Sequence, residues 1–361
     1  MTPRTPGTPG KVDEALTRRG FTTRRLRLRA AAVIVAITAG VSGVLVHHLT
    51  NVLGPDTVCG GAATADAVHD ALGPGRIGER RSNGYSPSAV DPAGSCTATV
   101  SFGLLGRSER SVSFGMALEA TETAPRTPAD ARLFSGGPAA GAVTSSGAWA
   151  LLPEGCPRGL RAVVGTGKDG PDGDRADGLA RLAAGYARRA AEDRGCGTGA
   201  GTGTGAGTPA APKELSRAGT AQPVDLAKVC GLPGLAPARN QEVHDELRQQ
   251  ATTAFAPVWS CEITSAWSGD ILASFGITTD PRATGLSPEE SRTPAYGRAT
   301  WIGPAGDNVA TTCQGRPTYF HLRTNLVASG SGNKAFLDDK DLWKQFLTAG
   351  GTAIGCEPIL P

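Results

Sequence analysis

Val58-Cys59-Gly60 and Val229-Cys230-Gly231 open two stretches of this chain, and Gly195-Cys196 and Gly355-Cys356 close them. Each stretch carries four cysteines: Cys59, Cys96, Cys156 and Cys196 in the first, and Cys230, Cys261, Cys313 and Cys356 in the second. Each also holds the string Val-His-Asp-x-Leu, at Val68 to Leu72 and at Val243 to Leu247. Further local matches keep the same order. Ser113-Phe114-Gly115 answers Ser274-Phe275-Gly276, and Phe102 and Trp267 each lie six residues beyond the second cysteine. Trp149 and Trp301 precede the third cysteine, and Leu182 and Tyr186 stand at the same offsets from the closing Gly-Cys as Leu342 and Phe346. One Cys-anchored module is written twice, so features common to both copies belong to the scaffold and features of one copy are candidates for a site.

The cysteines fit an oxidising compartment and four disulfides. If bonds stay within each module, three pairings remain per copy. Cys59–Cys96, Cys156–Cys196, Cys230–Cys261 and Cys313–Cys356 close loops of similar length in the two copies. Loops of that size stabilise by roughly 3–4 kcal/mol each in the chain-entropy model. No CxxC or CxxH occurs, which removes zinc-ribbon chemistry, and no cofactor signature is present.

The net charge of +3 is uneven. Residues 1–29 hold eight Lys/Arg against Asp13 and Glu14, a local excess of +6, so the rest of the chain is acidic and offers no nucleic-acid surface. The basic stretch precedes the apolar run from Ala30 to Val46, extendable to Leu49. That run is just long enough to span a bilayer, and the flanking arginines predict a cytoplasmic N-terminus. No small-x-small site follows closely, which favours an uncleaved signal-anchor. Thr17-Arg18-Arg19-Gly20-Phe21 resembles the start of a twin-arginine export signal. The sequence thus predicts a disordered basic tail over 1–29, a transmembrane helix over 30–49, and a single-pass plasma-membrane protein with its bulk extracytoplasmic. Module 1 is expected over 57–197, a flexible Gly/Thr-rich linker over 198–223 that leaves the modules free to reorient unless they dock, and module 2 over 224–361.

Hydrophobic periodicity predicts a helix over 65–72 and another over about 174–193 in module 1, with strands over 96–104, 111–118, 148–152 and 160–165. Module 2 is expected to repeat this with a helix over about 240–250 and a hairpin of strands 261–267 and 271–277. The fold class expected is α+β: a small antiparallel sheet per module, with a helix at each end.

Chemistry is sparse. His69 and His244, at matching positions, are candidates for a metal-binding or pH-responsive site, since imidazole titrates near neutrality. Neighbours on a helix diverge by about 100°, so neither pairs with its own following Asp70 or Asp245. His321 alternates as an exposed strand residue in Tyr319-Phe320-His321-Leu322-Arg323. No Gly-x-Ser-x-Gly elbow exists, and the eight thiols can all pair, so nucleophilic catalysis has little support. Val163-Val164-Gly165-Thr166-Gly167-Lys168-Asp169 fails as a phosphate loop because Asp169 stands where Ser or Thr should hold magnesium. Trp259, Trp267, Trp301 and Trp343 all fall in module 2, which makes that copy the candidate for binding a protein or a sugar.

Cys59-Gly60, the following Ala65-Asp66-Ala67-Val68 and Leu72-Gly73, and the Ala/Gly/Arg/Thr-heavy composition resemble exported, Cys-paired envelope proteins of high-GC actinobacteria. The resemblance covers about 40 residues, lacks a lipobox, and implies an envelope location without an activity. The function expected is non-enzymatic: a duplicated binding or scaffolding ectodomain. Its partners would be membrane lipid through the anchor and an envelope protein or polysaccharide, with no cofactor. The alternative from another class is an envelope hydrolase using His321 or His244.

Overall fold

The computed structural model describes residues 28–29, 31–39, 51, 54–82, 95–102, 108–118, 129–136, 139–167, 175–197, 215–225, 227–236, 247–285, 293–303, 306–325 and 337–361. Sheet dominates. A small ladder pairs β1 (Thr57–Val58) with β2 (Ala63–Thr64). Module 1 then builds a seven-stranded antiparallel sheet from β3 (Arg76–Ser82), β4 (Ser95–Phe102), β5 (Ser108–Leu118), β6 (Arg132–Gly136), β7 (Ala139–Thr144), β8 (Gly147–Leu151) and β9 (Leu160–Thr166), in the order β3-β4-β5-β9-β8-β7-β6. Module 2 builds a second from β10 (Gln222–Pro223), β11 (Leu247–Ala251), β12 (Trp259–Ser265), β13 (Ile271–Thr278), β14 (Thr300–Trp301), β15 (Asn308–Cys313) and β16 (Arg316–Thr324), in the order β10-β11-β12-β13-β16-β15-β14. The helices beside them are α1 (Ala65–Leu72) and α2 (Ala176–Asp193) in module 1, and α3 (Asp339–Ala353) in module 2.

Two expectations are corrected. Two large sheets replace the small sheets of an α+β design, because the stretches expected as loops or helices add strands. β6 and β7 lie between the strands expected over 111–118 and 148–152, and β11 occupies the end of the helix expected over 240–250. The transmembrane helix, the signal-anchor and the single-pass membrane location are overturned as well. No helix among the described residues is long and apolar enough to cross a membrane.

Strand alternation explains both cores. In β5, Val112, Phe114 and Met116 are buried while Ser113 between them is exposed. They pack with Val164 and Ala162 of β9 against Leu179, Leu182, Ala183 and Tyr186 of α2. In module 2, Cys261, Phe275, Ile277, Phe320 and Leu322 pack against Leu342, Trp343, Phe346 and Leu347 of α3. The edge of Tyr186 meets Phe114 at 5.4 Å, and the edge of Phe346 meets Phe275 at 5.1 Å.

The duplication is visible in register. Cys96 pairs with Phe114, which pairs with Val164; Cys261 pairs with Phe275, which pairs with Leu322. The four disulfides are Cys59–Cys96, Cys156–Cys196, Cys230–Cys261 and Cys313–Cys356, spanning 37, 40, 31 and 43 positions. The opening cysteines also behave alike. Cys59 donates its backbone N–H to Glu79 at 2.8 Å and Cys230 to Gln249 at 2.7 Å, and these acceptors occupy equivalent positions of β3 and β11.

The modules are docked. The helix-free face of the first sheet brings Leu133, Ala140, Ala142, Trp149 and Leu151 onto Val258 and Ala283 of module 2 in one buried cluster. Of the stretch read as a free linker, residues 215–223 are described, and they tie both sheets together. Ser216 exchanges hydrogen bonds with Leu133 at 2.7 Å, and Gln250 donates to the Gly219 carbonyl at 2.8 Å. Gly219 itself fits where nothing larger would. A Cβ there would lie 2.0 Å from the Ala251 carbonyl and 2.6 Å from the Ala129 carbonyl.

Candidate functional site

The strands that turn Trp259, Cys261 and Ile263 toward α3 must turn Ser260 and Glu262 the other way. On that helix-free face the register lines up two rows across the sheet. Ser260, Gly276, His321 and Asn308 form one, and Glu262, Ser274 and Arg323 the next. Gly276 leaves a gap: a Cβ would sit 3.4 Å from the His321 Cβ and 4.0 Å from its Cδ2. The gap forms part of a pocket of about 230 Å3, lined among the described residues by Ser260, Glu262, Ser274, His321, Arg323 and Asn325, with Ile271 and Leu272 as apolar wall.

Hydrogen bonding fixes the state of the histidine. The Asn308 amide donates to the Asp307 carboxylate at 2.7 Å, which leaves its carbonyl oxygen to accept from His321 Nδ1 at 3.0 Å. Nδ1 therefore carries the proton, and Nε2 presents a lone pair. Burial, leaving the ring 3% exposed, pushes its pKa down to about 4, so the imidazole is neutral at pH 7. Nε2 has no hydrogen-bond partner, and neither has the Oγ of Ser260, which is 6% exposed. Ser260 and His321 both line this pocket, although each of the two atoms is itself buried. Glu262 is held above the usual carboxylate range, first by burial and then by Asp130 of module 1.

A larger hollow of about 450 Å3 lies on the seam between modules, with Glu154 on one side and Asp280, Arg282 and Arg316 on the other. Its central charges are already satisfied. Arg282 binds both oxygens of Asp280, at 3.0 and 2.7 Å. The pocket of module 2 is the better candidate.

The sequence candidates scatter. Trp259 and Trp343 are each 3% exposed, and with the half-buried Trp301 they belong to aromatic packing: Trp259 stacks on Phe255 at 5.6 Å, and Trp343 meets Trp301 edge-on at 5.4 Å. Trp267 is 83% exposed, on the turn joining the two strands that wall the pocket. His69 is half-buried with Nε2 at 3.0 Å from the Gly75 carbonyl, and His244 lies outside the described residues. Among the described residues, no group of three His, Cys, Asp or Glu could hold a metal. His321 sits on a strand as read, but buried rather than exposed. Ser260, Glu262, Ser274, Asn308 and Arg323 escaped the sequence reading; strand alternation about Cys261 could have flagged the first two, and nothing local singles out Asn308.

The arrangement can accept a hydrogen bond at Nε2 and donate or accept one at Ser260. It does not pair a nucleophile with a base, because a Ser260–Nε2 hydrogen bond is absent and two strand spacings, about 9–10 Å, separate their backbones. No family model, no curated protein and no solved structure matches this chain.

Proposed function

We propose that module 2 is a ligand-binding domain supported by module 1, in a protein that acts by binding rather than by catalysis and works in an oxidising compartment. The observation that carries this reading is that Ser260 and His321, each with a buried and unpartnered side-chain atom, both line the pocket on the helix-free face of module 2. The four disulfides suit such a compartment, where a secreted domain keeps its cross-links. The exposed Trp267, on the turn that joins two of the strands lining the pocket, is an apolar side chain of the kind a binding surface uses.

A fragment screen by amide chemical-shift perturbation on the full chain tests this. Binders are expected to shift Ser260, Gly276 and His321, and Ser260→Ala should weaken them. Perturbations confined to other surfaces would refute the site. Turnover of p-nitrophenyl acetate abolished by His321→Gln would instead establish the hydrolase alternative, with the Asp307–Asn308–His321 chain orienting a base.

A further inference from the structure

We infer that this pocket takes a free aliphatic α-amino acid, with its ammonium on Glu262 and its carboxylate on Arg323. The inference rests on the binding reading above and names the chemistry that the pocket's accessible charges select. Register puts Glu262, Ser274 and Arg323 side by side on three adjacent strands, so opposite charges stand at the two ends of one row with a small hydroxyl between them. Both line the pocket, yet no ion pair joins them, and among the described residues neither side chain has a hydrogen-bond or ion-pair partner. Glu262 is half-buried and Arg323 exposed, so solvent reaches both charged groups. Two strand spacings set their backbones about 9–10 Å apart. An α-amino acid fits such a gap. Its nitrogen and carboxylate oxygens lie about 3 Å apart through three covalent bonds, and a charge-assisted hydrogen bond of about 2.8 Å extends each end. The line from Glu262 through the ligand to Arg323 then spans about 8–9 Å.

Charge favours the zwitterion over either half alone. Burial first, and Asp130 of module 1 second, hold the Glu262 carboxyl above its usual range, and an ammonium relieves both effects. A lone anion on Arg323 would share the pocket with Glu262 and lack the cation that offsets it. A lone amine on Glu262 would leave the guanidinium without a partner. The guanidinium fork takes a carboxylate through two parallel N–H···O bonds, which suits the free α-carboxylate. Size points the same way. The pocket holds about 230 Å3, below the roughly 300–1,000 Å3 of drug-sized sites, and so suits one amino acid rather than a peptide. Ile271 and Leu272 form its apolar wall, where an aliphatic side chain can leave water.

Isothermal titration of the full chain separates the two contacts. The probes are leucine, leucinamide, which keeps only the ammonium, and N-acetylleucine, which keeps only the carboxylate. Leucine is expected to bind about tenfold more tightly than either. Glu262→Gln should bring leucine down to the level of N-acetylleucine, and Arg323→Gln to that of leucinamide. The first variant keeps the shape of a half-buried side chain and the second alters an exposed one, so both retain the fold. Leucinamide or N-acetylleucine binding as tightly as leucine, no binding of leucine at millimolar concentration, or a leucine affinity indifferent to both substitutions would overturn the amino-acid assignment. If fragments still shift Gly276 and its neighbours while leucine does not, the ligand class alone fails. If nothing shifts the pocket, the binding reading falls with it.

Discussion

The same row of the same sheet is used in opposite ways by the two modules. Register places Gly115, Val163 and Trp149 of module 1 where module 2 has Gly276, His321 and Asn308. In module 1, Trp149 and Val163 join the apolar cluster that docks the modules together, and the Arg161 guanidinium covers the Trp149 ring at 5.6 Å. In module 2, the row keeps a buried imidazole and an orphaned hydroxyl beside open space. The helix-free face of module 1 is packed into the docking cluster, while that of module 2 lines an open pocket. A duplicated fold permits this because the disulfides and the helix-side core hold each copy together without that face.

The comparison breaks first if the shared half is not shared. Phe114→Ala and Phe275→Ala remove equivalent rings from equivalent cores, each packed edge-on against a helix aromatic. Each should cost about 3–5 kcal/mol in urea unfolding. A large cost in one copy and a small one in the other would show that the register match does not reflect a common frame.

Proton linkage at His321 should mark module 2 alone. A histidine held neutral below its ordinary pKa stabilises the fold fully above pH 6.5, where the unfolded chain is also neutral. That stability is lost as pH falls through 6.5 toward about 4, because only the unfolded chain takes up the proton. The difference between 6.5 and about 4 amounts to ~3 kcal/mol at 1.36 kcal/mol per pKa unit. Glu262, held high by burial and Asp130, acts in the opposite sense. The effect is therefore read as the difference between wild type and His321→Gln across pH 7 to pH 4. A pH profile unchanged by the substitution would place the imidazole in water.

Docking is the next target. Gly219→Ala should destabilise by about 1–3 kcal/mol, since its Cβ meets two carbonyl oxygens belonging to different modules. Calorimetry should then show the two modules beginning to melt separately, and a single unchanged transition would contradict the role given to this segment. The smallest effect is expected at the site. Ser260→Ala removes a buried hydroxyl without a partner, so stability should change by less than about 1 kcal/mol, and upward if at all. A clear loss of stability there would mean the hydroxyl serves the fold.

Much of this frame was legible in the residues. Cysteine spacing and the closing Gly-Cys pairs locate both copies, and period-2 burial places the β4–β5 and β12–β13 hairpins. What the sequence obscured has physical causes. Val-His-Asp-x-Leu looked like a shared helix, yet Leu247 begins β11 at the register of Ile77, not of Leu72. A short apolar-polar string is compatible with either period until tertiary pairing selects one. Trp149 and Trp301 seemed equivalent by position, but the partner of Trp149 in register is Asn308. Alternation told which face His321 occupies, but not that the face is covered. Four tryptophans in one copy suggested a binding surface, though three belong to aromatic packing and Trp267 alone of the four is largely exposed.

Histidine-selective 15N NMR of the full chain at pH 7 tests the central claim most directly. The account predicts that His321 is neutral, protonated on Nδ1, with an Nε2 resonance typical of a free lone pair that moves when ligand is added. A proton on Nε2, or an imidazolium at that pH, would contradict it, since the pocket would then lack the acceptor that separates module 2 from its twin.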